Sequence, residues 1–280
     1  MFTRRIALTV GVTLLVAGCA SAGAVSTQQE VQLGAQEAQQ VDAQLPMLND
    51  AQIDQYVNTL GNEIASRTSR SDLQWHFAVV NTSDVNAFAL PGGYIYVNRG
   101  VLERASNASE LAGVLGHEIE HVVRRHSVKQ MAQMQNANIG VALGCALARV
   151  CDSPAAQAAV NVAGGAYFAK NSRADEVQAD EGGFQNVVRA GLNPTGMLTF
   201  FQKLLQEEQA SGGAGRSGVS SWFADHPGTS DRIADIQRML GQVPQSQLSS
   251  LTTDTPAYDR IHQRVLALPP APAPKQTSGQ

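Results

Sequence analysis

The sequence has little cysteine, little charge and no apolar run long enough to cross a membrane. Only three of its 280 residues are cysteine and none forms a Cys-x-x-Cys pair, which excludes a disulfide-rich scaffold and a zinc site made of thiolates. Charged residues make up 16% of the chain and the formal net charge is -4, so we expect no nucleic-acid partner. The chain does contain 43% hydrophobic residues, enough to bury the core of one large domain or two small ones.

The first residues have the features of a secretory signal peptide, predicted over residues 1–18. Two arginines precede an apolar stretch of about 11 residues, whereas a membrane-spanning helix needs about 20. The sequence VAGC at 16–19 resembles the lipobox of bacterial lipoproteins, which implies cleavage before Cys19 and acylation of that residue. Ala20 stands where inner-membrane retention usually places aspartate, which implies a lipid anchor on the periplasmic face of the outer membrane. An uncleaved anchor is the alternative.

Cys145 and Cys151 remain as a pair once Cys19 is lipidated. A disulfide persists in an oxidising compartment, and the turn that a spacing of six requires is supplied by Asp152-Ser153-Pro154. We therefore predict a disulfide between them, with two buried free thiols as the alternative.

Hydrophobic spacing predicts a mainly helical α+β chain with one small antiparallel sheet. Alternating apolar residues predict a strand over 75–80 and a hairpin in which Val85–Leu90 returns, after Pro-Gly-Gly, as Tyr94–Val97. Helices are predicted over 28–45, 53–64, 173–189 and 195–208.

A further helix is predicted to begin at Ala108, after an N-cap at Asn107, and to run past Arg125. It contains HEIEH at 117–121. Residues four apart in a helix are separated by about 400° of rotation and about 6 Å of rise. Both imidazoles therefore project from one face and can bind one metal ion.

Glu118 is the candidate general base of this motif. It lies about 100° around the helix from His117, near enough to reach water at a metal ion. Rotation places Glu120 equally far on the other flank, so the choice of Glu118 depends on the H-E-x-x-H motif. Two ordinary surface histidines, His117 and His121, are the alternative.

A hydrolytic zinc usually has three protein ligands, so a third is needed beyond the helix. Glu176 and Asp180 again stand four apart, which allows one carboxylate to bind zinc and the other to accept the ring N–H of a ligating histidine. A solvated acidic face is the alternative. His126 is a poor ligand candidate because it lies about 140° from His121 around the same helix.

Four motifs together resemble the zinc metallopeptidase family that contains the heat-shock protease HtpX and the CAAX prenyl endopeptidases. They are VNAFALPGGYIYVNRGVL at 85–102, HEIEHV at 117–122, SRADEVQAD at 172–180 and DHPGTSDRI at 225–233. The resemblance covers roughly Gln52 to Leu240. It implies a zincin-type domain in which His117, His121 and Glu176 bind zinc. Glu118 is then the catalytic base, and Asp180 supports the site.

The chain resembles a single-domain outer-membrane lipoprotein peptidase within this family. It lacks the long hydrophobic helices of the integral-membrane members, and about 40 residues after Leu240 leave no room for a helical-repeat domain. The predicted organisation is a signal peptide over 1–18, a lead and first helix over 19–48, the peptidase domain over 49–245, and a tail over 246–280 with a disordered Pro-rich end.

The His-Pro loop supplies His226 and Arg232 as candidate stabilisers of the negative oxygen that forms during hydrolysis. A loop-packing role for His226 and a helix-start ion pair for Arg232 are the alternatives. A further alternative is that His226 is a fourth zinc ligand, which keeps the enzyme latent.

The strand Val85–Leu90 is predicted to bind substrate along an open edge, because main-chain pairing suits a protease that reads many sequences. Asn86, Ala87 and Phe88 are the residues expected to contact the peptide. An ordinary interior strand is the alternative.

The sequence predicts a zinc-dependent endopeptidase that cleaves misfolded periplasmic or outer-membrane proteins in protein quality control. A noncatalytic chaperone or assembly lipoprotein on the same scaffold is the alternative from another class. A zinc amidase acting on cell-wall peptides fits the four motifs less well.

Overall fold

The computed structural model describes residues 25–133, 172–212 and 218–272. In chain order the described elements are α1 (Thr27–Gln44), α2 (Ala51–Ala65), β1 (His76–Val80), β2 (Ala87–Leu90), β3 (Tyr94–Asn98), α3 (Arg99–Arg104), α4 (Ala108–Val123), α5 (Arg173–Arg189), α6 (Thr195–Ala210), α7 (Ser220–Asp225), α8 (Thr229–Gln242), α9 (Gln245–Leu248) and α10 (Pro256–Leu266). Among these helices none has the length and apolar character that spanning a membrane requires. The predicted signal peptide, Cys19 and the Cys145–Cys151 disulfide lie outside the described residues.

The three strands form one mixed sheet in the order β1-β3-β2. The predicted hairpin is confirmed: β2 pairs antiparallel with β3 across a turn in which Gly92 and Gly93 have φ values of 76° and 100°. β1 instead runs parallel to β3, which makes the sheet mixed and not purely antiparallel. Period-two spacing identifies strands but does not show which strands pair. The predicted mainly helical α+β fold is confirmed.

Helix α4 lies at the centre of the domain. As predicted, Asn107 caps it by accepting a hydrogen bond from Glu110 N at 3.1 Å. All residues from Ala108 to Val122 are buried, because α2, α5, α6 and strand β2 pack around the helix. The HEIEH sequence therefore lies in the interior, and its histidines are not surface residues.

Glycines set the distance between α4 and α5. A Cβ on Gly183 of α5 would lie 2.8 Å from the carbonyl carbon of Gly116 and 2.9 Å from the backbone nitrogen of His117. Such distances are shorter than real Cβ contacts, so the two backbones touch only because both positions are glycine. This approach brings Glu176 of α5 to the histidines of α4.

We expect Gly183→Ala to lower the free energy of unfolding by about 1 to 3 kcal/mol, the usual cost of overpacking, because the new methyl group meets backbone. Gly241→Ala in α8 is the matched control, since among the described residues nothing beyond its chain neighbours and its own helix backbone lies within 4 Å of the added Cβ. Urea unfolding of the metal-free proteins measures both changes. A Gly183→Ala protein as stable as the wild type would show that α4 and α5 are not held at contact distance.

The prediction that the active-site helix runs past Arg125 was wrong. α4 ends at Val123, and Arg125 has a left-handed backbone with φ of 58°. Residues 126–133 are helical again. Sequence patterns did not reveal this break, because the left-handed position carries arginine and not the usual glycine. The Arg125 guanidinium lies 3.0 Å from the buried carboxylate of Glu30 in α1, which favours the turned conformation.

Helix α1, which the sequence analysis grouped with the lead over 19–48, packs on the hairpin. Its Gly34 lies so close to the Pro91 carbonyl that a Cβ there would overlap the oxygen. Glu30 is buried and forms an ion pair with Arg70 at 3.0 Å. The segment that the sequence assigned to a lead thus belongs, from Thr27 onward, to the folded domain.

The segment assigned to the tail also contains part of the core. Helix α10 buries Tyr258, Ile261 and Val265, an amphipathic spacing that the sequence analysis overlooked. The Tyr258 hydroxyl donates to the Ala105 carbonyl at 2.7 Å. The Asp254 carboxylate accepts from the backbone N–H of Ala108 at 3.0 Å. The C-terminal segment therefore holds the first turn of α4 in place.

Candidate metal centre and active site

Four buried side chains converge at the centre of the domain: His117, His121, Glu176 and His226. One potential ligand atom from each lies within 4.8 Å of the others. Helix α4 supplies the first two, α5 supplies Glu176, and the residue directly after α7 is His226. The sequence prediction named all four, and the structure brings them together.

The inner distances suit one small cation. The Nε2 atoms of His117 and His121 lie 3.0 Å apart. Glu176 Oε2 is 3.4 Å from His117 Nε2, and Oε1 is 3.4 Å from His121 Nε2. Among the described residues, Glu176 Oε1 is buried without a hydrogen-bond partner. Two imidazoles and a carboxylate that face one point are the ligand set of a hydrolytic zinc, so the residues fit the predicted metal.

Charge in the cluster determines its protonation. Burial opposes the charging of His117, but the carboxylates of Glu176 and Asp180 outweigh it and raise the pKa of His117 to about 9. Burial alone would raise the pKa of Glu176, yet the imidazoles of His226 and His117 hold it far below its usual range. Without metal, the His117 ring is therefore positively charged at neutral pH, with a proton on each of its two nitrogens.

We expect zinc binding at pH 7 to release about one proton, because His117 must lose the proton that it holds below its raised pKa. The apparent zinc affinity should therefore increase as the pH rises from 6.5 toward 8.5. Calorimetric titration in two buffers of different ionisation enthalpy measures the released protons. A binding enthalpy that is the same in both buffers at pH 7 would contradict this expectation.

Asp180 and Arg232 form a second layer behind the ligand cluster. Asp180 Oδ1 lies 2.9 Å from His117 Nδ1, as the four-residue spacing predicted. Arg232 contacts both oxygens of Asp180, at 2.6 and 2.7 Å, and Glu176 Oε2 at 2.6 Å. Burial tends to raise the pKa of Asp180, but the Arg232 guanidinium lowers it. The carboxylate therefore stays charged and orients the His117 ring.

The guanidinium of Arg232 is buried, engaged by two carboxylates and placed 4.8 Å from the ring centre of Phe201. These contacts link the start of α8 to α5. The role of Arg232 as a donor to the negative oxygen that forms during hydrolysis stays a prediction. Its contacts favour an ion-pairing role, with Asp180 and Glu176 of α5 as the partners.

Helix packing distinguishes the two glutamates that rotation alone did not. Glu120 accepts hydrogen bonds from Asn186 at 2.9 Å and Arg124 at 2.7 Å. Glu118 is buried, and its Oε1 has no hydrogen-bond partner among the described residues. That oxygen lies 3.6 Å from His226 Nε2. Glu118 is thus the carboxylate available for proton transfer at the cluster.

Strand β2 is the edge strand of the described sheet that lies next to the ligand cluster. The Ala87 carbonyl lies 3.3 Å from His226 Nε2, and the Ala89 carbonyl accepts from the Ser127 hydroxyl at 3.4 Å. Both carbonyls point away from β3, because Asn86 supplies the ladder bond to Asn98 N. Peptide binding along this edge stays a prediction.

Two residues predicted to contact substrate have other partners. Asn86 donates through Nδ2 to Asp225 at 2.7 Å, which ties the edge strand to the segment before His226. The Phe88 ring stacks on Tyr96 with centroids 5.1 Å apart. The Asn86 contact was not visible in the sequence, because Asp225 is distant along the chain, whereas Phe88 and Tyr96 are cross-strand partners in the predicted hairpin.

Trp222 was not predicted to lie at the site, and His126 was predicted only to be a poor metal ligand. Trp222 is buried, with its ring centroid 4.3 Å from that of His226. Its spacing of four residues from His226 was a signal for this contact. His126 lies with its Nδ1 2.9 Å from His121 Nδ1, which the helix break makes possible. Burial, followed by the charge of His121, lowers the pKa of His126 to about 4.

The chain is similar to several proteases. The β-barrel assembly-enhancing protease of Escherichia coli (strain K12) is 31% identical over 238 residues, which cover 82% of this chain and 48% of that protein. The mitochondrial metalloendopeptidase OMA1 of Schizosaccharomyces pombe is 29% identical over 208 residues, 71% of this chain and 56% of that protein. Metalloprotease LoiP of Escherichia coli (strain K12) is 28% identical over 180 residues, 64% and 66% of the two chains. This chain thus spans about half the length of the first relative.

The sequence profile of Peptidase family M48 matches residues 51–240, more than half of the 280 residues. This range includes all four motifs and the converging side chains. It confirms the resemblance that the motifs indicated. The chain belongs to peptidase family M48, and its converging side chains fit a metal ion.

Proposed function

We infer that this protein is a zinc metalloendopeptidase that cleaves proteins of the bacterial envelope, with His117, His121 and Glu176 as zinc ligands and Glu118 as the catalytic base. The observation that carries the assignment of roles is the buried Glu118 carboxylate, one oxygen of which has no hydrogen-bond partner in the described part of the chain and lies beside the ligand cluster. A buried carboxylate without a partner is costly unless the site uses it. Glu120 has partners for both of its oxygens, so it does not compete for this role.

A bound zinc ion supplies Lewis-acid polarisation of the peptide carbonyl and makes water at the site more acidic. The remaining steps belong to the protein. Glu118 takes the proton from the attacking water and delivers it to the leaving amine. Asp180 keeps the proton of His117 on Nδ1, so that Nε2 stays available as a ligand. The edge of β2 orients an extended substrate through its outward carbonyls.

The place of action is the outer membrane, reached through the lipid on Cys19. Support comes from the VAGC sequence at 16–19 and from the similarity to a relative named as a β-barrel assembly-enhancing protease. Misfolded envelope proteins are the proposed substrates, because main-chain recognition at a strand edge suits unfolded segments better than folded ones. A chaperone on this scaffold would need no general base.

Two measurements test the proposal. Purified protein should contain about one zinc per chain and cleave casein, and a chelator should abolish the cleavage until zinc is returned. Mass spectrometry of the mature N-terminus should show acylated Cys19, and Cys19→Ala should block lipid attachment and cleavage before residue 19. An unmodified cysteine would contradict the outer-membrane assignment, and zinc-loaded protein that cleaves nothing would favour the noncatalytic alternative.

A further inference from the structure

His126 is a buried histidine that the proposed mechanism does not use. Its side chain is 1% exposed, and its Nδ1 lies 2.9 Å from Nδ1 of His121. The two rings meet nearly edge to face, at 76° with centroids 4.9 Å apart. The other nitrogen, Nε2, lies 3.4 Å from Asp175 Oδ1. His126 thus stands between a proposed zinc ligand and the first turn of α5.

The contact between the Nδ1 atoms of His121 and His126 determines which nitrogen of each ring carries a proton. His121 Nε2 faces His117 Nε2 and Glu176 Oε1, so it must present a lone pair to a cation there. The proton of His121 is then on Nδ1. Two nitrogen atoms 2.9 Å apart require one hydrogen between them, so His121 donates and His126 Nδ1 accepts. The proton of neutral His126 is therefore on Nε2, on the side of Asp175.

The geometry points to His126 as a positioning residue that holds the ring and the tautomer of His121 ready for zinc. This inference rests on the proposed zinc site. Asp180 does the same for His117, so each ligating histidine has its own acceptor. The arrangement depends on the left-handed backbone at Arg125. On a continuous helix, position 126 would lie about 140° away from position 121.

A matched pair of variants separates the hydrogen bond from the packing. In His126→Asn, Oδ1 takes nearly the position of the histidine Nδ1 and accepts the same hydrogen. In His126→Leu, a side chain of almost the same shape has no acceptor. We expect the leucine variant to bind zinc about 10- to 100-fold more weakly than the wild type, and the asparagine variant to keep most of the affinity. Competition with a chromogenic chelator at one fixed pH measures this.

Equal zinc affinities of the two variants, whether both normal or both weakened, would overturn the role of His126. A wild-type protein that does not bind zinc would overturn the proposed zinc site as well. A measurement that needs no substitution at 126 uses the zinc-loaded wild type with nitrogen-15 in its histidines. Its spectra should show a proton on Nδ1 of His121 and on Nε2 of His126. A proton on Nδ1 of His126 would equally overturn the inference.

Discussion

Replacing Glu118 by glutamine is expected to reduce peptide hydrolysis by about 100- to 10,000-fold, the usual contribution of general acid-base catalysis. This corresponds to about 3 to 5.5 kcal/mol in the activation free energy. The amide has nearly the same shape as the carboxylate but does not accept the proton. Zinc content should be unchanged, because His117, His121 and Glu176 keep their side chains.

The control is Glu120→Gln, two residues along the same helix. Glu120 contacts Asn186 and Arg124 away from the cluster, so this change should affect stability more than rate. Glu176→Gln should behave differently from both, because it weakens zinc binding and loses metal together with activity. Zinc content and casein cleavage are measured for all three. A Glu118→Gln protein that holds zinc and cleaves at more than a tenth of the wild-type rate would contradict the assigned role.

The sequence predicted the ligand cluster because each part of it depends on local spacing. His117 and His121 share a face through helical periodicity, and so do Glu176 and Asp180. Neither spacing shows that the two helices meet. That information is in the glycines at 116 and 183, whose close approach is a property of tertiary packing. Resemblance to a family supplied the pairing that spacing alone did not.

The sequence did not predict the features that depend on a break in periodicity. Treating 108–125 as one continuous helix placed His126 on the wrong side of His121. The break occurs at Arg125, whose left-handed backbone is accompanied by an ion pair with Glu30, distant in the sequence. No window of local sequence contains both Arg125 and Glu30.

Helical rotation also could not show which of Glu118 and Glu120 is the catalytic base. The choice is resolved by what surrounds each carboxylate, since Asn186 and Arg124 donate hydrogen bonds to the carboxylate of Glu120. The motif had indicated the same choice by analogy. For Asn86 the edge-strand argument predicted a substrate contact, but the structure shows a hydrogen bond to Asp225. Motifs therefore identify residue types well, and packing decides what each side chain contacts.

Arg232→Met is expected to lower the free energy of unfolding of the metal-free protein by about 3 to 5 kcal/mol, the cost of removing one partner from a buried ion pair. Methionine keeps much of the volume, so the loss comes from Asp180 and Glu176, whose buried carboxylates lose their guanidinium. Arg238→Met in the same helix is the matched control, since the side chain of Arg238 is 66% exposed. Exposed pairs contribute about 0 to 1 kcal/mol.

The difference between the wild type and Arg232→Met should depend on pH. Arg232 lowers the pKa of Asp180 in the folded state, so in the wild type their pairing stabilises the protein at every pH above the pKa of an unfolded aspartate, about 3.9, and is lost only below it. In the variant, Asp180 is buried without the Arg232 cation. Protonation of Asp180 removes this unpaired charge and so raises the stability of the variant as the pH falls. Urea unfolding with a chelator present should therefore show the two stabilities converging from pH 7 toward pH 4. A difference below about 1 kcal/mol at pH 7 would mean that the cluster is held together without Arg232, because it would then match an exposed pair.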